Sequence, residues 1–448
     1  MVRRVLLVLL VACLGSPRAI AADIEPTFRH EPLKKLLADL QDKDVTVRRQ
    51  AATTLGMPDG SEGKGGPRPR GDLWPAMLGL VEALQDKDML VRGNSLRSLG
   101  LLMRYRGIPE KTDPRAEKIA LAVIASLKDP EDLVRSAAAA ALSTIGIETK
   151  DGVKSLTETM KHEEAKVRAA AADGAKGVRP IARIVPALAE SLRDREAIVR
   201  LASANTLGFA RQEGAAALKP LVELLKDEDA KVGAAAATAL GSFGPQGGPA
   251  ISALADVVTN PKSAIRNAAV GAIGMIHLDS DIAVPTLIGA LAIEETRPSA
   301  CTALYAFGAQ GKAATPALIA FGRDEKGSVR PDVLAALSAI EPDGPAFFEL
   351  LFAGLHDPNP FIRGVALNYF GRDQGYAEAL PVLVVLFKVD GNLRNRVAYA
   401  FGAMGAEAKP VVPMLLEMIG DVETNPTLRR VLINTVNAID PEVLKPPQ

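Results

Sequence analysis

One frame recurs along almost the whole chain, and it limits the possible folds more than any other feature. It is clearest at 183–210, RIVPALAESLRDREAIVRLASANTLGFA. With Arg200 as position zero, the equivalent residues are Arg48, Arg92, Arg135, Arg168, Gly233, Arg266, Arg297, Arg330, Arg363, Arg394 and Arg429. Successive zero positions lie 31–35 residues apart, after two wider steps of 44 (Arg48 to Arg92) and 43 (Arg92 to Arg135). A fixed period of this size marks a solenoid, in which each small unit buries its apolar face only by stacking on its neighbours.

Each column of the frame has a physical reading. Position −1 is apolar in eleven repeats (Val47, Val91, Val134, Val199, Ile265 and Ile362 among them), position +3 is small or apolar (Ala51, Ala138, Ala171, Ala236), and position +7 is Leu, Ile or Phe in most repeats (Leu55, Leu207, Ile273, Phe401). Steps of four put these on one face of a helix. Gly at +8 (Gly56, Gly100, Gly208, Gly274, Gly402) suits close helix packing, and Gly at +11 (Gly146, Gly244, Gly308, Gly405) suits a helix C-cap. A second apolar stripe lies upstream, with Pro near its start at Pro75, Pro186, Pro220, Pro285, Pro316, Pro381 and Pro413, as a first helical turn tolerates. Position −6 is usually Asp, in the turn between the two stripes, where a carboxylate can accept from open backbone N–H groups. That carboxylate is also within reach of a zero-position Arg, on the same or the neighbouring repeat.

The pattern L-x-x-x-L-x-D-x5-R-x-x-A-x-x-x-L-G resembles the HEAT repeat, in the short form common in bacterial HEAT-like and bilin-lyase-type proteins. The family's turn Asp and helix-start Arg match Asp42/Arg48, Asp86/Arg92, Asp129/Arg135, Asp194/Arg200, Asp324/Arg330 and Asp357/Arg363. The resemblance runs from about Leu33 to Ile439 and is carried by recurrence rather than by any single copy. The period departs from the roughly 40–47 residues usual for HEAT; ankyrin's period of about 33 fits better, but its T-P-L-H signature is absent. The resemblance implies an all-α fold, an α-solenoid wound as a right-handed superhelix of about twelve two-helix repeats, with the second helices lining the concave side.

The chain's ends read differently. Arg3 and Arg4, the apolar Val5–Leu14, and Ala19-Ile20-Ala21 form an export signal, giving a signal peptide at 1–21 and a mature chain outside the cytoplasm, periplasmic or secreted. Leu10-Val11-Ala12-Cys13 also resembles a lipobox, so an envelope lipoprotein anchored at Cys13 is a second reading. The solenoid then spans 22–440, interrupted by Gly/Pro-rich 57–72 and by 103–117, both expected as loops, and 441–448 is a Pro-rich tail. No further apolar run is long enough to cross a bilayer.

Chemistry is sparse. Lys+Arg and Asp+Glu both number 53 and aromatics are 4% of residues, which argues against nucleic acid. His30, His162, His277 and His356 fall in different repeats and columns. HEAT-like deoxyhypusine hydroxylases hold iron through repeated His-Glu pairs, but the two pairs here, His30-Glu31 and His162-Glu163, occupy different places in their repeats. Neither a metal site nor a cofactor is expected. Bilin lyases use similar repeats, but Cys301, beside packed Ala300, reads as a buried structural thiol. Recurrence of the Asp/Arg pairs marks them as a structural ladder rather than a catalytic set. The remaining candidates are +1 and +5 residues of the C-terminal repeats, expected on the concave side: Asn267, Asn368, Asn395, Tyr399, Arg430 and Asn434, with Arg396 at +2. These amides, one Tyr and Arg form a surface suited to protein or peptide, and a solvated helix face is the alternative. The expected function is a non-catalytic, protein- or peptide-binding scaffold. The alternative is an enzyme or accessory subunit, lyase-like or metal-dependent, with a site on the concave face.

Overall fold

The computed structural model describes residues 26–58, 72–106, 114–324, 327–342, 344–369, 379–421 and 424–444. The signal peptide, Cys13, residues 59–71 and 107–113 of the two insertions, and 445–448 of the tail lie outside these residues. The chain divides after Ala250 into two compact units.

The first unit holds six helix pairs: α1 Leu33–Asp39 with α2 Val45–Thr54, α3 Trp74–Glu82 with α4 Met89–Arg106, α5 Pro114–Ala125 with α6 Asp132–Ile145, α7 Lys150–Thr159 with α8 Ala165–Gly174, α9 Val185–Ser191 with α10 Ala197–Ala210, and α11 Leu218–Leu224 with α12 Ala230–Ser242. The second unit also holds six: α13 Ile251–Thr259 with α14 Arg266–Ile276, α15 Ser280–Leu291 with α16 Arg297–Phe307, α17 Thr315–Ala320 with α18 Pro331–Ile340, α19 Pro345–Leu355 with α20 Pro360–Leu367, α21 Leu380–Val389 with α22 Arg394–Met404, and α23 Val412–Gly420 with α24 Pro426–Ile439. The twelve frames of the sequence are therefore twelve helix pairs, stacked as an α-solenoid within each unit. Within each unit, each second helix packs on the first helix of its own pair and on the second helix of the next.

The apolar columns are the core. Val91, Val134 and Val199 at −1, and Leu55, Leu99, Leu142, Leu207, Leu240, Ile273, Leu304, Leu337 and Phe401 at +7, are fully buried. Most helices here are too short to hold on propensity alone, so this shared burial is what stabilises them.

The two glycine columns have separate roles. A Cβ on Gly274 would stand 2.7 Å from the Ala303 Cα, and one on Gly208 3.2 Å from the Ala239 Cα. In each case the +8 Gly faces the +6 residue of the next repeat, so two second helices can approach backbone to backbone. The +11 glycines all have positive φ: Gly146 84°, Gly244 59°, Gly308 53° and Gly405 56°. Arg211 holds the same position in its repeat, with φ 51° and ψ −133°, nearly the 53° and −135° of Gly308.

Some expectations change. A hairpin of β1 Thr27–Phe28 and β2 Glu31–Pro32 precedes α1; its strands are too short to leave a periodic signal, and it buries Phe28 completely. Residues 103–106 and 114–117 of the second insertion are helical, extending α4 and opening α5. Pro285 lies inside α15 rather than in its first turn, because that helix begins at Ser280.

Candidate functional site

The turn ladder comes first, because it decides which charges are free. Arg200 donates from Nε and Nη2 to both oxygens of Asp227 (2.7 and 2.8 Å), and from Nη1 to the carbonyls of Asp194 and Arg195 (2.9 and 3.0 Å). One guanidinium thus closes its own turn through backbone and clips the next turn through a carboxylate. Arg48–Asp86, Arg92–Asp129 and Arg168–Asp194 repeat this arrangement. Each Asp also accepts from the N–H two residues on, as Asp194 does from Glu196. Of the two partners the sequence left open, the carboxylate belongs to the neighbouring repeat; the same-repeat Asp contributes its carbonyl. Burial raises the carboxyl pKa of Asp86, Asp129, Asp194 and Asp227, but the Arg hydrogen bond, the backbone N–H and the Arg charge outweigh it, leaving each below the ordinary value. A parallel pair, Arg49–Asp88, holds Asp88 down to about 2, chiefly through the Arg49 hydrogen bond.

The ladder varies where the sequence varies. His162 stands at an Asp position: its Nδ1 accepts the Glu164 N–H, and Arg135 pairs instead with Asp132 of its own helix, which also binds Lys166 of the next. Arg363 finds Asp390, two residues beyond the expected −6 position. Arg330 and Asp324 do not form the expected rung. Arg330 precedes Pro331 at the start of α18 and donates to the Arg323 carbonyl, while Asp357 accepts from the Val329 N–H and the Ser328 hydroxyl.

A second set of clips gave no signal in any one repeat. The hydroxyls of Ser98, Thr206 and Thr435, all at +6, donate to the carbonyls of Ala52, Ala172 and Ala398, all at +4 of the preceding repeat. Aligning the +6 column for Ser and Thr would have found it.

With the Asp and Arg columns engaged in packing, the open surface is the second-helix face. In the first unit a cleft of about 600 Å³ crosses α6, α8 and α10, lined by the +1 and +5 residues Ser136, Ala140, Ala169, Asp173, Leu201 and Asn205. Ala139, Ala140, Ala169 and Ala170 put only methyl groups into it. In the second unit Asn267, Asn368, Asn395, Arg396, Tyr399, Arg430 and Asn434 are all exposed. Asn395, Arg396 and Tyr399 lie on α22, which packs against α24 carrying Arg430 and Asn434. Asn368 follows α20, and Asn267 stands apart on α14.

The reactive side chains do not converge. His277 Nδ1 lies 3.1 Å from the Met275 carbonyl and His356 Nδ1 2.9 Å from that of Phe352. Cys301 is fully buried, and burial together with Asp332 pushes its thiol pKa up. Among the described residues no group of three or more His, Cys, Asp or Glu could hold a metal ion, and no helix is long and apolar enough to cross a membrane.

A family profile described as HEAT repeats matches residues 77–176, 185–274 and 218–298. No curated protein matches the chain. Solved structures share the fold at low identity. Kap95p, in a structure where its binding induces the switch loops of RanGDP to adopt the GTP-bound conformation, has 13% identity and a TM-score of 0.61 over 91% of this chain and 62% of its own. A structure of yeast importin-β (Kap95p) has 12% identity and a TM-score of 0.56 over 91% of this chain and 61% of its own. Kap121p has 13% identity and a TM-score of 0.52 over 91% of this chain and 48% of its own. The chain therefore spans about half to three-fifths of the length of these α-solenoids.

Proposed function

The chain is a HEAT-repeat protein, and we propose that it works as a non-catalytic scaffold holding a protein or peptide on its second-helix face, outside the cytoplasm. The observation that carries this reading is the division of labour between columns. The charged columns at −6 and zero are largely taken up by packing, while +1 and +5 stay open on successive second helices and line a cleft in the first unit. An extended face built from repeats suits a partner that is itself extended. Kap95p, which shares the fold, is a protein-binding solenoid in its complexes with RanGDP and with Nup1. Export is supported by Arg3, Arg4, the apolar Val5–Leu14 and Ala19–Ala21.

Photo-crosslinking groups placed at Asn205, on the cleft, and at Tyr399 test the binding face in the full chain. The expected result is one recurrent crosslinked protein, with little from exposed Arg195 on the turn edge. Equal crosslinking from all three positions sinks the reading. Mass spectrometry of the mature N-terminus tests export, and an intact Met1 in a cytosolic fraction would overturn it.

A further inference from the structure

Charge is distributed unevenly on this face, although the chain carries 53 basic and 53 acidic residues. Helices α20, α22 and α24 contain no Asp or Glu, yet carry Arg363, Arg394, Arg396, Arg429 and Arg430. The three at position zero are engaged in packing. Arg363 holds Asp390 and the carbonyls of Asp357 and Pro358, Arg394 the carbonyls of Phe387 and Lys388, and Arg429 that of Asp421. Arg396 and Arg430 are exposed, and neither forms an ion pair or hydrogen bond among the described residues.

The two free guanidiniums belong to helices packed side by side. Arg396 reaches back across α20, where Gly364 leaves it room: a Cβ there would stand 2.6 Å from Nη1. Asn395 and Tyr399 share its helix and Asn434 shares that of Arg430, in the +1 and +5 rows that line the cleft of the first unit. Tyr399 is 63% exposed. Phe361 on α20, in the −2 row that Lys166 and Ile198 occupy beside that cleft, is 69% exposed.

We propose that the second-helix face of α20, α22 and α24 receives an acidic peptide segment. Its carboxylates meet Arg396 and Arg430, whose planar forks match a carboxylate in two-bonded geometry. Its main-chain N–H and C=O groups meet the amide side chains, each of which offers both a donor and an acceptor. An apolar side chain of the peptide rests on Tyr399 or Phe361. A nucleic-acid backbone presents a phosphate charge about every 1.7 Å of duplex axis and calls for a run of cations; two guanidiniums separated by amides fit a few spaced carboxylates instead. The inference rests on the second-helix reading above and adds the charge of the partner.

The test measures fluorescence anisotropy on the full chain with three labelled probes of equal length: alternating Glu-Gly and alternating Lys-Gly dodecapeptides, and an oligothymidylate. The Glu-Gly peptide is expected to bind, more weakly as salt rises, with about a tenfold loss for each of Arg396→Ala and Arg430→Ala. The double variant Arg396→Glu/Arg430→Glu is expected to switch preference to the Lys-Gly peptide. Both residues are exposed, and circular dichroism checks that the variants keep their helices. No binding of the Glu-Gly peptide up to millimolar concentration, binding unaffected by either arginine, or oligothymidylate binding with the same arginine dependence overturns the inference. A crosslinked partner at Tyr399 whose capture survives both Arg→Ala changes removes this inference alone and leaves the scaffold reading in place.

Discussion

Arg200 joins two turns with a single side chain that is 9% exposed, so losing it strands the Asp227 carboxylate and two carbonyls together. Arg200→Met is expected to cost about 2–3 kcal/mol in urea unfolding, whereas Arg195→Met, 79% exposed, stays within about 0.5 kcal/mol. The ladder also sets the acid limit of the fold. The folded pKa values of Asp86, Asp129, Asp194 and Asp227 lie below the ordinary carboxylate value, which is about 3.9 when unfolded. Their contribution is therefore complete above about pH 4 and is lost as pH falls through the folded values, and Asp88 is held down to about 2. The urea midpoint should drop steeply between those limits, and Asp227→Asn should flatten the drop. Arg211 adds strain: it adopts a backbone that other repeats give to Gly, and Arg211→Gly should stabilise by about 1 kcal/mol. At this scale the residue types were legible, because a column repeated twelve times stands out. The connection was not: two carboxylates lie within an arginine's reach, and only the stacking offset selects the next repeat's. The shift of the last rung to Asp390 was hidden because Lys388 holds the −6 position before Arg394 and the carboxylate stands at −4.

Between elements, the closest approaches depend on missing side chains. Gly274→Ala would press a Cβ onto the backbone of α16 and is expected to cost about 1–3 kcal/mol. Gly289→Ala, also inside a helix but with nothing within 4 Å, should stabilise by about 0.5–1 kcal/mol; equal effects would refute this account of the +8 column. The rung between α6 and α8 offers a sharper test. Arg135 pairs with Asp132 in the repeat where His162 stands in place of the turn carboxylate. Asp132→Asn should therefore cost about 1 kcal/mol less in a His162→Asp background, read by hydrogen exchange across α6–α8. Helix pairs were legible from spacing and turn chemistry. The hairpin around Phe28 was not, since two-residue strands carry no periodic signal and the backbone bridge from Phe28 to Pro58 joins segments far apart in sequence, and neither was the early start of α15, where Pro285 suggested a later one.

For the molecule as a whole, each unit is a set of pairs joined by local contacts, so its stability is close to a sum over repeats and their junctions. Deleting residues 185–217 removes α9, α10 and the connector after them, and brings the α8 rung residue Arg168 to the turn that holds Asp227. The shortened protein should keep its helical circular dichroism and unfold at modestly lower urea; loss of the helical signal would contradict a repeat-by-repeat account. The recurring frame that made the architecture readable also concealed function, because columns that repeat describe packing and the distinctive residues lie between them. Arg396, Tyr399 and Arg430 stood out only as departures from a bland face, and that neither arginine is engaged by a neighbour could be seen only once the helices were placed. The forward reach of the ladder has one more consequence. Its principal clips join residues 26 to 38 apart in sequence. While such a chain is being synthesised, each repeat with a forward rung, such as those of Arg48, Arg92, Arg168 and Arg200, presents a guanidinium still awaiting its carboxylate until the following turn is made.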